Sequence, residues 1–485
     1  MVSRENVAAI KIVGVGAAGA SFALSLWLLF SFDTANPDMQ FVQMFHWVPA
    51  LHINYLLGVD GISLWMVMLT AFLGLIAIMF SFTQKEGLRN FVALMLALEA
   101  GTLGVFLALD TILFYVFWEL MLVPTYFLIG IWGEGRRVYA TMKFVIYTLV
   151  GSLLMLVAIL SLTMVHYGAT HEVTFDLRVL TLTHIDPSMQ TWMFLFFFLA
   201  FAIKVPVFPL HSWLPHTYAA CPIPTLILLT GAMSKTGAYG FLRFCLPLFP
   251  EAVESFAMVI GLMAAAGMVY GAWIAIAQKD LKALVAYSSI SHLGFIVIGI
   301  FANNGTGIEG SLLQMINHGI IASALFLIVA FIEVRTGTRN LDELRGLSKA
   351  MPVLYGTFML IMLAALGLPG LNGFVGEFLI LMGVWTSSMF SGLSGILVLM
   401  GGLSIVFASI YMLYMFQGSM QGKSDNQGLT DIDRGEFKLL LPACLLIIFI
   451  GLYPKPFIDR VTPSVDALLH LEKTVNLHTE ESDLH

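Results

Sequence analysis

Apolar blocks of about 17 to 28 residues recur along this chain almost without charge, and a bilayer core needs roughly 20 such residues per helix. A soluble fold has no interior large enough to hide them. The whole chain is 59% apolar and only 11% charged, against roughly a quarter charged in ordinary soluble domains. The expected class is an all-α polytopic membrane protein.

Windows of about 19 residues place spans near 12–32, 62–82, 91–109, 111–132, 139–166, 190–209, 222–247, 255–277, 281–301 and 309–332, then 352–391, 394–418 and 437–453. The first is read as a membrane anchor, because no small-residue cleavage signal follows it. Segment 352–391 is long enough for two short helices or for one span broken at Leu-Pro-Gly-Leu-Asn-Gly (368–373). Charge decides between them. With a single crossing, Lys85, Arg89, Arg136, Arg137, Lys279, Lys282, Arg335, Arg339, Arg345, Lys349, Lys423, Arg434 and Lys438 share one side, and the opposite loops hold Arg178 and little else. Two crossings would put Lys423, Arg434 and Lys438 outside, against the positive-inside rule. About 13 spans follow, with the N-terminus inside, the C-terminus outside and a short polar tail after Tyr453. The net charge of −7 says little, since orientation depends on where Lys and Arg sit.

Two helix breakers interrupt hydrophobic sequence. One begins at Lys204 and gathers Pro206, Pro209, Pro215, Pro222 and Pro224; the other holds Pro369, Gly370, Gly373 and Gly376. Proline removes an amide donor and clashes with the preceding turn. Irregular backbone at membrane depth is tolerated only against protein or a water-lined cavity. Paired broken helices in the two halves of a long membrane chain point to an ion pathway built on inverted repeats, although no repeat shows in the letters. The organisation expected is N-terminal peripheral helices over 1–110, a first antiporter-like core over 111–250, a second over 251–420, and a C-terminal helix with its tail over 421–485.

Four charged residues stand out inside the spans: Glu119, Lys204, Lys235 and Glu377, accompanied by His292 and His318. A charge at a helix centre costs about 2.5 to 3.5 kcal/mol on insertion scales, which makes each a functional candidate. Plainer readings stand beside these. Glu119 could be a structural partner for a lysine, Lys204 could snorkel, Glu377 could be an interfacial carboxylate, and each histidine could be a hydrogen-bonded packing residue. Lys235, in Ser-Lys-Thr-Gly-Ala-Tyr-Gly, is hardest to read as structure, since small neighbours allow close packing. Together the lysines and histidines supply sites that titrate near neutrality when shielded from water. A proton relay needs these and a scaffold does not.

Cys221, Cys245 and Cys444 lie far apart in apolar surroundings, so neither a disulfide framework nor a metal cluster is expected. No phosphate loop or haem pattern is visible. Any redox chemistry therefore belongs to partners.

Four motifs occur in order: Phe-Trp-Glu-Leu-Met-Leu-Val-Pro (117–124), Phe-Ala-Ile-Lys-Val-Pro-Val-Phe-Pro-Leu-His-Ser-Trp-Leu-Pro (201–215), Ala-Tyr-Ser-Ser-Ile-Ser-His-Leu-Gly-Phe (286–295) and Leu-Pro-Gly-Leu-Asn-Gly-Phe-Val-Gly-Glu-Phe (368–378). Over nearly its whole length the chain resembles the antiporter-like proton-channel subunits of complex I, the family of chain M in bacteria and chain 4 in mitochondria, with counterparts in cyanobacteria and chloroplasts. The resemblance implies an inverted-repeat fold and proton translocation coupled to quinone reduction. By the family's pattern Glu119 and Lys204 form an ion pair, Lys235 is the central relay lysine, His318 bridges the two halves, His292 is a further histidine of the polar axis, and Glu377 is the exit carboxylate. A glutamate at 377 favours chain M over the longer chain L.

The resemblance also implies that this chain holds no cofactor, while NADH, FMN, iron-sulfur clusters and quinone are held by partner subunits. Its partners would be other antiporter-like chains, quinone-site subunits, membrane lipid and protons carried by internal water, with no nucleic acid. A bacterial inner membrane is the expected location, with a cyanobacterial thylakoid as the alternative. The rival functions are a subunit of a multi-subunit Na+/H+ antiporter, a membrane-bound hydrogenase subunit, and a membrane scaffold. The chain departs from the family twice. Its members usually begin with one more helix, and Leu-Pro-His-Thr-Tyr-Ala-Ala-Cys-Pro (214–222) puts His216 and Tyr218 where the family has Asp and His.

Overall fold

Short polar side chains mark where the helices begin. Asp60, Asp110, Asp280, Asn304 and Asp433 each accept a hydrogen bond from a backbone N–H of the first turn they precede, satisfying donors that a helix start leaves open. A computed structural model describes residues 6–423 and 428–482, with side chains of the last helix described as far as 471.

The first half contains α1 (Val7–Ser31), a hairpin of β1 (Gln40–Val48) and β2 (Ile53–Val59), α2 (Gly61–Ser81), α3 (Leu88–Leu107), α4 (Thr111–Leu120), α5 (Leu122–Trp132), α6 (Arg137–Thr170), α7 (Leu177–Leu180), α8 (Pro187–Lys204) and α9 (Trp213–Ala220). Next, α10 (Ile223–Leu228), α11 (Lys235–Gly240) and α12 (Leu246–Leu248) form one path joined by π turns at Leu229–Met233 and Phe241–Cys245. The second half has α13 (Pro250–Ile276), α14 (Leu281–Phe301), α15 (Gly305–Thr336), α16 (Pro352–Ala365), α17 (Asn372–Thr386), α18 (Ser394–Met420), α19 (Arg434–Leu452) and α20 (Lys455–Ser482).

Among the described residues, eleven helical segments are long and apolar enough to cross a membrane, with α4 and α5 counted as one. The interrupted path 223–248 and the pair α16 and α17 bring the crossings to thirteen, as the charge pattern requires. The two ends of 352–386 lie on opposite faces. Val353 N–H donates to Asp431 at 2.6 Å, and Ser387 Oγ donates to the Ala302 carbonyl at 2.7 Å. The face holding Arg335, Arg339 and Lys279 is the inner one by the positive-inside rule.

Two elements differ from the sequence reading. The β-hairpin sits on the outer face, where Asp110 caps α4 and also accepts the Asn54 N–H at 3.0 Å; burial raises the pKa of this carboxyl above its ordinary value, against the backbone donors. Its apolar run has no window long enough to register as a span. The expected polar tail is instead the helix α20, which buries Phe457, Val461, Val465 and Leu468, a spacing of four, four and three that suits one helix face. A window tuned to whole spans averages that face away.

Pro124 explains the interruption at Met121 between α4 and α5, since it has no N–H for the Leu120 carbonyl one turn back. Burial is deepest along α15, buried through its apolar window, and α14, nearly so, while α1 is mostly exposed.

Candidate functional site

Lys235 begins α11 just after a π turn, a form that leaves main-chain carbonyls without their usual helical partner. The Thr230 carbonyl is such a group. It accepts from Lys235 Nζ at 2.5 Å and from Ser234 Oγ at 2.8 Å. Lys235 is fully buried, and its ammonium also donates to His318 Nδ1 at 2.7 Å and contacts Ser234 Oγ at 3.4 Å. Among these partners there is no carboxylate.

His318 lies on α15, and its ring stands 5.7 Å from that of His292 on α14. No direct hydrogen bond joins the rings, and His318 Nε2 is buried without a partner. Beyond that gap the bonding resumes. His292 Nδ1 donates to Glu377 Oε1 at 2.9 Å, Gln314 Nε2 donates to the same oxygen at 3.2 Å, and the Tyr411 hydroxyl donates to His292 Nε2 at 3.4 Å.

The second break presents Glu377. Gly367 and Gly370, at φ 77° and 92°, turn the chain between α16 and α17 through a region that side chains avoid. Asn317 and Asn372 lock the turn against α15, Asn317 donating to the Asn372 carbonyl at 2.7 Å and Asn372 to Asn317 Oδ1 at 3.2 Å. A Cβ at Gly376 would collide with Gln314. Its absence lets α17 close on α15.

The first break holds Lys204 differently. As the last residue of α8 it lies at the helix C-terminus, where a cation suits the dipole. Its ammonium sits 5.0 Å from the Trp118 ring centre and 5.7 Å from that of Phe144. Half-buried Glu119 acts on it through space, but no ion pair within 4.0 Å joins the two. The freed backbone is satisfied nearby, the Trp213 indole donating to the Ile203 carbonyl at 2.8 Å and Lys143 Nζ to the Ser212 carbonyl at 2.8 Å. A Cβ at Gly237 would meet the Phe201 carbonyl at 2.6 Å and Lys204 Cβ at 3.1 Å. The lysine-bearing helices α8 and α11 thus touch directly.

The structure therefore brings Lys235, His318, His292 and Glu377 into one buried row, with Lys204 and Glu119 beside its Lys235 end. The roll of charges inside the spans was incomplete. Lys282, placed in a loop by its position at a span edge, has a side chain 0% exposed and donates to the Cys221 carbonyl at 2.9 Å. Arg243, near the outer end of the 223–248 path, pairs with Asp60 at 2.6 Å. Glu99 is buried within α3, with the Ser21 hydroxyl beside it but no hydrogen bond of good geometry to either oxygen. Gln314 and Tyr411 are uncharged, so a search for charge passes over them; Gln314 was visible only as the residue four before His318. Among the described residues no cluster of His, Cys, Asp and Glu is arranged to hold a metal.

The family profile described as "NADH:quinone oxidoreductase/Mrp antiporter, TM" matches residues 108–407. NADH-quinone oxidoreductase subunit M of Rhodobacter capsulatus is 38% identical over 470 residues, covering 95% of this chain and 90% of the relative. The fold is similar to a chain of respiratory complex I from Thermus thermophilus with bound NADH, at TM-score 0.87 and 33% identity, covering 95% of each chain. It is also similar to a chain of the Mrp complex from Dietzia sp. DQ12-45-1b, at TM-score 0.82 and 23% identity, covering 96% of this chain and 52% of that one. That last likeness concerns the fold alone.

Proposed function

This chain belongs to the NADH:quinone oxidoreductase/Mrp antiporter family of membrane subunits, and we propose that within it Lys235, His318, His292 and Glu377 form a proton relay. The chain is a proton-translocating membrane-arm subunit of an NADH:quinone oxidoreductase. One observation carries the relay: ionisable side chains from α11, α14, α15 and α17 meet in a buried row, bonded at both ends and interrupted only between the two histidines.

In the proposed cycle, hydrated half-channels meet at Lys235. Lys204 moves toward or away from Glu119, and its charge changes the proton affinity of Lys235 through a low-dielectric interior. When Lys235 gives up its proton, His318 Nδ1 receives it. The proton then crosses to His292 and reaches Glu377. Residues 111–250 and 251–420 act as the two antiporter-like repeats, flanked by 1–110 and 421–485. NADH, flavin, iron-sulfur clusters and quinone belong to partner subunits, and the chain lies in a bacterial inner membrane.

Two measurements test this. Purifying the native complex in mild detergent should recover quinone-site and iron-sulfur subunits with inhibitor-sensitive NADH:quinone activity; small antiporter subunits alone would overturn the assignment. In reconstituted complex, Lys235→Met should abolish proton pumping. Undiminished pumping would remove Lys235 from the relay.

A further inference from the structure

The relay leaves open how protons reach Lys235 from the inner face. A cleft of about 260 Å³ opens there, lined by Glu134, Tyr139, His216 and Arg339 among others. The Glu134 carboxylate lies 3.7 Å from Lys282 Nζ, and the Glu134 N–H donates to the Ala220 carbonyl at 2.8 Å. Lys282 in turn donates to the carbonyl of Cys221, where α9 gives way to α10.

One turn back along α9 stands Tyr218. It is 0% exposed, its ring packs 5.9 Å from that of Phe326, and its hydroxyl sits beside those of Thr230 and Ser234. These are the residues that contact the Lys235 ammonium, through the Thr230 carbonyl and Ser234 Oγ. Neither the Tyr218 hydroxyl nor the Thr230 hydroxyl has a hydrogen-bond partner of good geometry. Buried polar atoms left this way call for an explanation, and two facing each other beside a buried lysine share one.

We propose that Tyr218 is the hydroxyl link through which protons pass from the inner-face cleft to Lys235. The inference rests on Lys235 being the centre of the relay. A neutral phenol both accepts and donates: an incoming proton binds the oxygen as the original O–H proton leaves toward Ser234 and Thr230, and no net charge stays on the ring. The family pattern has histidine at this position, a side chain that likewise accepts and donates a proton. Of the titratable groups around it, Cys221 at the break acts on Tyr218 through space, Lys282 from α14 bonds to the Cys221 carbonyl, Lys235 from α11 reaches Thr230 and Ser234 and is bonded to His318 from α15, and Glu134 stands at the mouth.

The test uses the assembled complex in proteoliposomes, reading proton uptake per quinone reduced. Tyr218→Phe removes one oxygen and keeps the shape. It should slow uptake by about tenfold or more, the scale of a lost proton-transfer group, with subunit composition unchanged. Thr230→Val should do the same and decides the matter if Tyr218→Phe fails to assemble. Tyr218→His should restore uptake relative to Tyr218→Phe, since an imidazole also accepts and donates a proton. Wild-type rates in both Tyr218→Phe and Thr230→Val, or uptake in Tyr218→His no faster than in Tyr218→Phe, would overturn the proposal. Lys235→Met, measured alongside, separates the two failures. If it pumps, the relay itself is wrong; if it stops while Tyr218→Phe and Thr230→Val pump, only the Tyr218 assignment falls.

Discussion

The two broken helices hold their charges by opposite means. At the second break Glu377 accepts bonds from His292 and Gln314, each donor fixed on a buried helix, so the carboxylate has one place to be. At the first break Lys204 lies over the faces of Trp118 and Phe144, with its acid partner acting only through space. Ring faces attract a cation over a broad area rather than along one bond direction. A charge held this way can shift at little cost, whereas a bonded carboxylate must first break two hydrogen bonds. The difference suits a moving control charge in the first half and a fixed terminal acceptor in the second.

The comparison breaks most sharply at Glu377. Glu377→Gln retains an oxygen for both donors but cannot take up a proton, so pumping should fall by roughly a hundredfold or more while assembly stays normal. Proton release per quinone reduced in proteoliposomes checks this. If Glu377→Gln pumps normally, Glu377 is not the terminal acceptor and its fixed position serves another end. Next in size is Gly237→Ala, whose Cβ would press on the Phe201 carbonyl and Val205 where α8 meets α11. Overpacking of this kind costs about 1 to 3 kcal/mol. A lowered unfolding temperature of the purified complex, together with slowed pumping, is expected; an unchanged temperature would show that α8 yields freely.

How far the site could be read from the letters follows the same division. Charges deep inside apolar sequence are legible because they are expensive there, and Lys204, Lys235 and Glu377 stand out on that ground. The crossings were legible too, as long apolar blocks and one-sided lysines and arginines fix them. Who bonds to whom was not. The separation of Lys204 from Glu119, the gap between His318 and His292, and the burial of Lys282 depend on how helices far apart in sequence pack. Tyr218 was noticed as a departure from a pattern, but its nearness to Thr230 and Ser234 comes from the fold of α9 against the path that carries Lys235. The hairpin and α20 escaped notice for a simpler reason, being too short or too one-sided for a window matched to bilayer thickness.

Smaller effects sharpen the comparison. Gly370 has φ 92° and open space around a would-be Cβ, so Gly370→Ala tests the backbone alone. Left-handed strain costs roughly 1 to 2 kcal/mol, seen as a lower unfolding temperature and slower pumping if the turn must keep its shape to hold Glu377. Equal stability would mean that the second break relaxes and is less fixed than its hydrogen bonds imply.

The smallest change addresses the first break. Trp118→Phe keeps an aromatic face beneath Lys204 but a weaker one, since indole holds a cation best. A loss of about 0.5 kcal/mol from the resting position of Lys204 corresponds to roughly a twofold change in pumping rate. Because the ring interaction opposes any shift of Lys204 away from Trp118, the direction of the change is informative. If that shift limits turnover, loosening Lys204 speeds pumping; if the return limits it, pumping slows. A rate within error of the unsubstituted complex, measured with Glu119 intact and again as Glu119→Gln, would mean that the ring does not govern where Lys204 sits. The contrast between a loosely held and a tightly held charge would then rest on Glu377 alone.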